Sequence, residues 1–135
     1  LMNRSDLKNL YSMHEYIKEL SEKYEERFNF VTKITSQTNG MPKAHNKPNY
    51  IVEEFLDTTN DLMKLMKEEA EKENQILKQI NQLDNYDYRT ILIKRYIGKK
   101  PFEVIATEMN NSSYSQVTHQ HGEALIEFDK LDKKI

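Results

Sequence analysis

Apolar and polar positions alternate along the first third of the chain with the period of an α-helix. From Ser5 to about Ile34 the groups Leu7, Leu10, His14, Ile17, Ser21, Tyr24, Phe28 and Val31 recur every three or four residues, and Leu20 widens the stripe. Recurrence at that spacing lines one helical face. Lys and Glu fill the other positions, as in the neighbours Lys18 and Glu22. Ser5 is placed to cap the helix, with Asp6 favourable in its first turn. The periodicity then stops. Ser36, Thr38, Asn39, Gly40, Pro42, Asn46 and Pro48 are turn and loop formers, so 35–48 is expected to be a mobile loop. A second helix is expected over about 49–83, with Val52, Phe55, Leu62, Met66, Ile76, Ile80 and Leu83 on its stripe and Thr59, Glu69 and Glu73 interrupting it. Two long helices with so narrow a seam gain stability by pairing with a second copy or by packing on another domain.

The pattern resets at Asp84 and Asn85, both N-cap candidates. A short helix over about 86–97 places Ile91, Leu92 and Tyr96 inward, together with Tyr88. Gly98 is expected to stop it as the residue after the cap. Pro101 suits the first turn of the next helix, where a missing N–H costs nothing; this helix carries Phe102, Ile105, Ala106 and Met109. Asn110, Asn111, Ser112 and Ser113 form a polar turn, and a last helix runs from about Ser113 to Leu131 with Val117, His121, Ala124, Leu125 and Phe128 on one face. The fold class expected is all-α: a long antiparallel helical hairpin over 1–83, devoted to assembly, and a small helix-turn-helix domain over 84–135. A small residue such as Ala106 lets two helices cross steeply, as a helix-turn-helix requires.

Composition narrows the function. Three Gly and three Pro in 135 residues argue against an all-β fold. The absence of Cys removes disulfides and thiolate metal sites. No apolar run reaches the roughly 20 residues of a membrane span and no signal-peptide core is visible, so a cytoplasmic protein without membrane contact is expected. There is no Gly-rich phosphate loop, H-E-x-x-H, Cys nucleophile or G-x-S-x-G, so no enzyme and no cofactor are expected. His119 and His121, two apart on a helix, point to different sides and make a poor metal pair. Met63, Met66 and Met109 read as core filling. The net charge is −2, whereas phosphate contacts call for local basic surface. The balance is uneven: −3 over 1–85 and +1 over 86–135.

Three runs in the C-terminal part carry a resemblance. Leu92-x-x-Arg95-Tyr96, Phe102-Glu103-x-Ile105-Ala106, and Ser113-x-x-x-Val117 followed by Ala124-Leu125 are similar to the promoter-reading C-terminal module of bacterial sigma factors over roughly 84–131. The turn between Ala106 and Val117 is one residue longer here, which leaves Ser112 and Ser113 both open as the cap. The remaining regions of a sigma factor have no room in this chain. A long helical front joined to this module resembles the phage-encoded late transcription regulators of the ArpU and RinA type, from prophages of low-GC Gram-positive bacteria.

The resemblance implies a sequence-specific DNA-binding transcription regulator of phage or prophage origin. It would activate late genes as a homodimer joined through its N-terminal helices, with double-stranded DNA and host RNA polymerase as partners. The last helix would enter the major groove with Ser115, Gln116 and His119 outward and Thr118 and Glu123 at the edges. Lys99, Lys100, Ser112 and Ser113 would hold phosphates, because no Lys or Arg lies between Lys100 and Lys130. Arg95 is expected to bridge Glu103 within the domain, and His121 to be a packed histidine. Two other readings stay open: a DNA-packaging protein akin to a phage small terminase subunit, and a protein-interaction module whose helix-turn-helix does not bind DNA.

Overall fold

The computed structural model describes residues 1–37, 46–110 and 112–132. The centre of the loop expected over 35–48 (residues 38–45), together with Asn111 of the polar turn, lies outside the described residues. Every element described is helical: α1 (Arg4–Gln37), α2 (Asn46–Ile80), α3 (Tyr86–Leu92) with a π-helical continuation over Ile93–Ile97, α4 (Phe102–Glu108) and α5 (Tyr114–Asp132). The fold class is all-α. The two long helices run further toward the loop than expected, to Gln37 and from Asn46. Pro48 is tolerated because it falls in the first turn of α2.

The first turn of α1 corrects one expectation. Asn3, not Ser5, caps the helix: its Oδ1 accepts from the backbone N–H of Ser5 at 2.9 Å, and Asp6 Oδ2 accepts from the Asn3 N–H at 2.8 Å. This reciprocal arrangement satisfies donors that the helix leaves unpaired.

The described residues form two compact units, one of 1–13 with 69–135 and one of 14–68. In the first, Leu7 and Leu10 from α1, Ile76, Ile80 and Leu83 from α2 and its end, and Leu92, Tyr96, Ala124, Leu125, Phe128 and Leu131 from the C-terminal helices share one apolar cluster. The boundary expected at 83/84 passes through this cluster. Polar links reinforce it. The side chain of Gln79, 2% exposed, accepts from the Met2 N–H at 2.8 Å and donates to the Met2 carbonyl at 2.5 Å, which satisfies a buried amide that would otherwise be costly. Arg4 donates to Asp129 through both its backbone N–H and its guanidinium. Asn85 caps α3 by accepting from Asp87 and Tyr88 N–H.

Gly98 does not stop α3 in the expected way. Its φ is −77°, and the left-handed residue is Lys99, at φ 56°. The Gly98 N–H bonds to the Ile93 carbonyl at 2.8 Å and the Lys100 N–H to the Lys94 carbonyl at 3.1 Å. Glycine is needed at 98 for space: a Cβ there would sit 2.9 Å from the Lys94 carbonyl oxygen.

In the second unit Ile17 is the one buried apolar residue among those described. Phe28 and Phe55 make a ring contact at 5.5 Å.

Because Leu10 is fully enclosed in the first cluster, Leu10→Ala should destabilise the C-terminal helices as strongly as a core change within them, by about 2–5 kcal/mol. Thermal unfolding of the full chain, followed by the NMR amide signals of the C-terminal helices, checks this. A C-terminal signal that melts unchanged while α1 loosens would contradict it.

Candidate nucleic-acid interface

The α4–α5 corner is held by a small cluster of Ile105, Ala106 and Val117, flanked by Phe102 and Met109. Pro101 stands at the N-cap of α4, one residue ahead of the expected place, with ψ 156°. The chain leaves α4 through Met109 and through Asn110 at φ 30°, a conformation Asn tolerates better than most residues. The Ser112 N–H closes the turn on the Met109 carbonyl at 3.0 Å.

Ser113 is the cap of α5. Its Oγ accepts from the Gln116 N–H at 3.1 Å, and Gln116 Oε1 accepts from the Ser113 N–H at 3.0 Å. This is a capping box, and it fixes where α5 begins. Val117, fully buried one residue later, fixes which face of the helix turns inward.

The five expected base-reading residues separate into two groups. Ser115, Gln116 and His119 are exposed on the first turns of α5; His119 has 76% of its side chain exposed. Gln116 is nevertheless occupied at its oxygen by the cap, which leaves its NH2 as the end able to donate outward. Thr118 and Glu123 are turned to internal use. The Thr118 hydroxyl donates back to the Tyr114 and Ser115 carbonyls at 3.1 and 3.0 Å. Glu123 accepts from the Tyr88 hydroxyl on α3 and pairs with His119 Nε2 at 2.7 Å. The Tyr88 hydroxyl is held above its ordinary pKa, first by that hydrogen bond and then by burial and nearby carboxylates.

The expected phosphate contacts fare unevenly. Ser112 and Ser113 lie in the turn and at the cap, where backbone N–H groups gather. Lys99 is 9% exposed; it pairs with Glu73 at 3.4 Å and donates to the Tyr96 carbonyl. Lys100 grips Glu108 at 2.7 Å, and Lys94 holds the same carboxylate at 2.9 Å. The two lysines, Lys100 more than Lys94, hold the Glu108 carboxyl below the usual carboxylate range. A hollow of about 430 Å³ beside the turn is lined by Asp87, Lys94, Glu108, Asn110 and Gln120, among others; carboxylates offset its lysine.

Arg95 corrects another expectation. Its guanidinium does not meet Glu103. It lies over the Phe102 ring at 4.2 Å and the Tyr11 ring at 4.7 Å, and donates to the Lys100 carbonyl at 3.1 Å. Cation–π contact with two rings keeps a planar cation against an apolar corner. His121 is packed as expected. Its Nε2 meets the Tyr96 hydroxyl at 2.8 Å, and its ring meets Phe102 at 4.9 Å. Burial, followed by the Arg95 and Arg4 charges, lowers the His121 pKa from 6.5 to about 4.

Residue patterns missed three of these links: Tyr88 to Glu123, the Lys94–Glu108–Lys100 clamp, and Tyr11 on Arg95. Tyr88 to Glu123 and Tyr11 to Arg95 join residues distant in sequence, and the clamp joins positions eight and fourteen apart. The capping box was visible, since Gln116 follows Ser113 by three, but Gln116 also suited base reading.

Comparison with known proteins gives one result about family. The profile described as protein of unknown function, DUF1492, matches residues 31–126, and the chain belongs to this family. The match spans all nine candidate residues. No curated protein and no solved structure matches the chain.

Two outcomes follow from the site. Ser113→Ala removes the cap acceptor and should cost about 1 kcal/mol, read as a lower midpoint in urea; an unchanged midpoint would mean the box contributes nothing. His121 takes up its proton more readily in the unfolded chain than in the fold. Its contribution is therefore present above pH 6.5, declines as the pH falls toward about 4, and is constant below. His121→Gln keeps a partner for the Tyr96 hydroxyl and should flatten the melting temperature over that window. Parallel wild-type and variant pH profiles would contradict this.

Proposed function

We propose that this DUF1492 protein is a sequence-specific DNA-binding transcription regulator of phage or prophage origin, and that it activates gene expression as a homodimer through the α4–α5 helix-turn-helix. The observation that carries this reading is the start of α5. A capping box and a buried valine set the helix in place, and Ser115, Gln116 and His119 stand exposed on its first turns. Such a helix end suits the major groove: its N–H groups favour a phosphate, and short polar side chains read base edges. Tyr114, exposed at the first helical position, adds an apolar face for a thymine methyl. Host RNA polymerase is the further partner this reading names, and the cytoplasm is its place of action. No described helix is long and apolar enough to cross a membrane.

One observation favours a second reading, a protein-interaction module without DNA binding. The basic side chains of 89–100 are engaged internally: Lys94 and Lys100 on Glu108, Lys99 on Glu73, Arg95 between two rings, and Arg89 on the Leu83 carbonyl. A phosphate would have to compete with these partners.

Gel shift against the DNA flanking the coding sequence separates the two. Under the regulator reading, a specific shift appears at low salt and weakens by less than the ~10³-fold between 50 and 200 mM that six or more phosphate contacts produce. His119→Ala with Ser115→Ala abolishes it. Gln116→Glu keeps the capping box and the thermal stability yet loses binding, because a carboxylate replaces the amide donor beside the phosphates. The absence of any specific shift at low salt would overturn the reading and favour the protein-interaction module.

A further inference from the structure

Among its described residues, the unit of 14–68 buries very little and exposes a great deal. Ile17 is its one buried apolar residue among those described, whereas Phe30, Leu56, Met63 and Met66 are 60%, 54%, 62% and 53% exposed. An apolar surface of this kind marks an interaction site. On α2 its placement is regular. Phe55 and Leu62, half-buried, are seven apart on one face, and Leu56 and Met63, exposed, are seven apart on the next, with Met66 three further on. A helix with two adjacent seams at this spacing has one for its own chain and one to spare.

The charges beside the second seam identify its occupant. Glu53 and Asp57 precede the middle of the seam, and Lys64 and Lys67 follow it; all four are exposed. Ion pairs within the chain, among the described residues, use none of them. A parallel copy would set Glu53 against Glu53 and Lys67 against Lys67. An antiparallel copy, related by an axis next to Asn60, sets Glu53 against Lys67 and Asp57 against Lys64, twice over by symmetry. Like charges in register oppose the first arrangement, and opposite charges select the second.

We propose that the outer face of α2 over 53–67 is the interface of a homodimer in which two copies of α2 pack antiparallel about an axis next to Asn60. Leu56, Met63 and Met66 supply the buried strip, and the acidic and basic halves fix the direction and the register. The inference deepens the assembly part of the proposed function and rests on that part alone.

The full-length chain tests it. Sedimentation of the wild type gives a dimer, and Leu56→Glu with Met63→Glu halves the mass without loss of helical circular dichroism, because both residues are exposed within the single chain. Glu53→Lys weakens the dimer, and adding Lys67→Glu restores it. The chain has no cysteine, so single cysteines report direction. Asn60→Cys cross-links on oxidation, whereas Glu53→Cys does not, because its copy lies about 20 Å away along the antiparallel helix. A monomeric wild type, a dimer that survives the double glutamate change, or cross-linking at 53 as well as at 60 overturns the proposal. A dimer of this form that shifts no DNA would end the regulator reading and leave the interface standing; DNA binding by a monomer would do the reverse.

Discussion

The shared apolar cluster of the first unit is the constraint on which the rest depends. Phe128, Leu92, Leu10 and Ile80 are each fully enclosed, and they come from α5, α3, α1 and α2. None of these helices could bury its stripe alone. Of the C-terminal elements, α3 and α4 have seven residues each, below the length at which helices hold themselves in water; α5 has nineteen. The ends of the two long helices complete the core of α3 and α5. The α4–α5 corner contributes a smaller cluster of its own, and its position is inherited from α5, which belongs to both clusters.

Electrostatics in the same unit serve cohesion first. Glu108 gathers two lysines, Glu73 takes Lys99, and two aromatic rings take Arg95. These partly exposed pairs contribute modestly to stability, but they decide what is left over. The polar groups that remain outward at the start of α5 are neutral or weakly basic. In the proposed regulator, recognition by such a surface would depend on base edges and helix N–H groups more than on bulk positive charge, and two linked copies would compensate for weak contacts in each.

Gln116 concentrates this tension in one side chain. Its oxygen closes the capping box on Ser113, while its position on the first turn is where a reader would stand. Full bidentate use of the amide on an adenine requires that oxygen to leave the cap, at a cost of about 1 kcal/mol. Use of the NH2 alone keeps the cap and reads less. His119 is similarly divided, since its exposed ring pairs with Glu123, which itself is tied to Tyr88.

Local pattern determined the helices. Leu7, Leu10 and Ile17 on one stripe, Ile76 and Ile80 on another, and Val117, Ala124 and Phe128 on a third were legible, because helical burial repeats every three or four residues and needs no knowledge of the partner. A serine cap at Ser112 or Ser113 was legible for the same local reason, and the fold selects Ser113. Tertiary structure alone decided which stripes met. It drew the start of α1 and the end of α2 into the C-terminal core, placed Arg95 between Tyr11 and Phe102 instead of on Glu103, and moved the left-handed residue from Gly98 to Lys99 by inserting a π turn. It also took Lys99 and Glu123 from the outward surface into internal bonds. The meeting of the stripes, the Tyr11 contact and the Lys99 and Glu123 bonds depend on distances between residues far apart in the chain. Side-chain type records what a residue is able to bond, and only the packed fold determines which partner comes within reach.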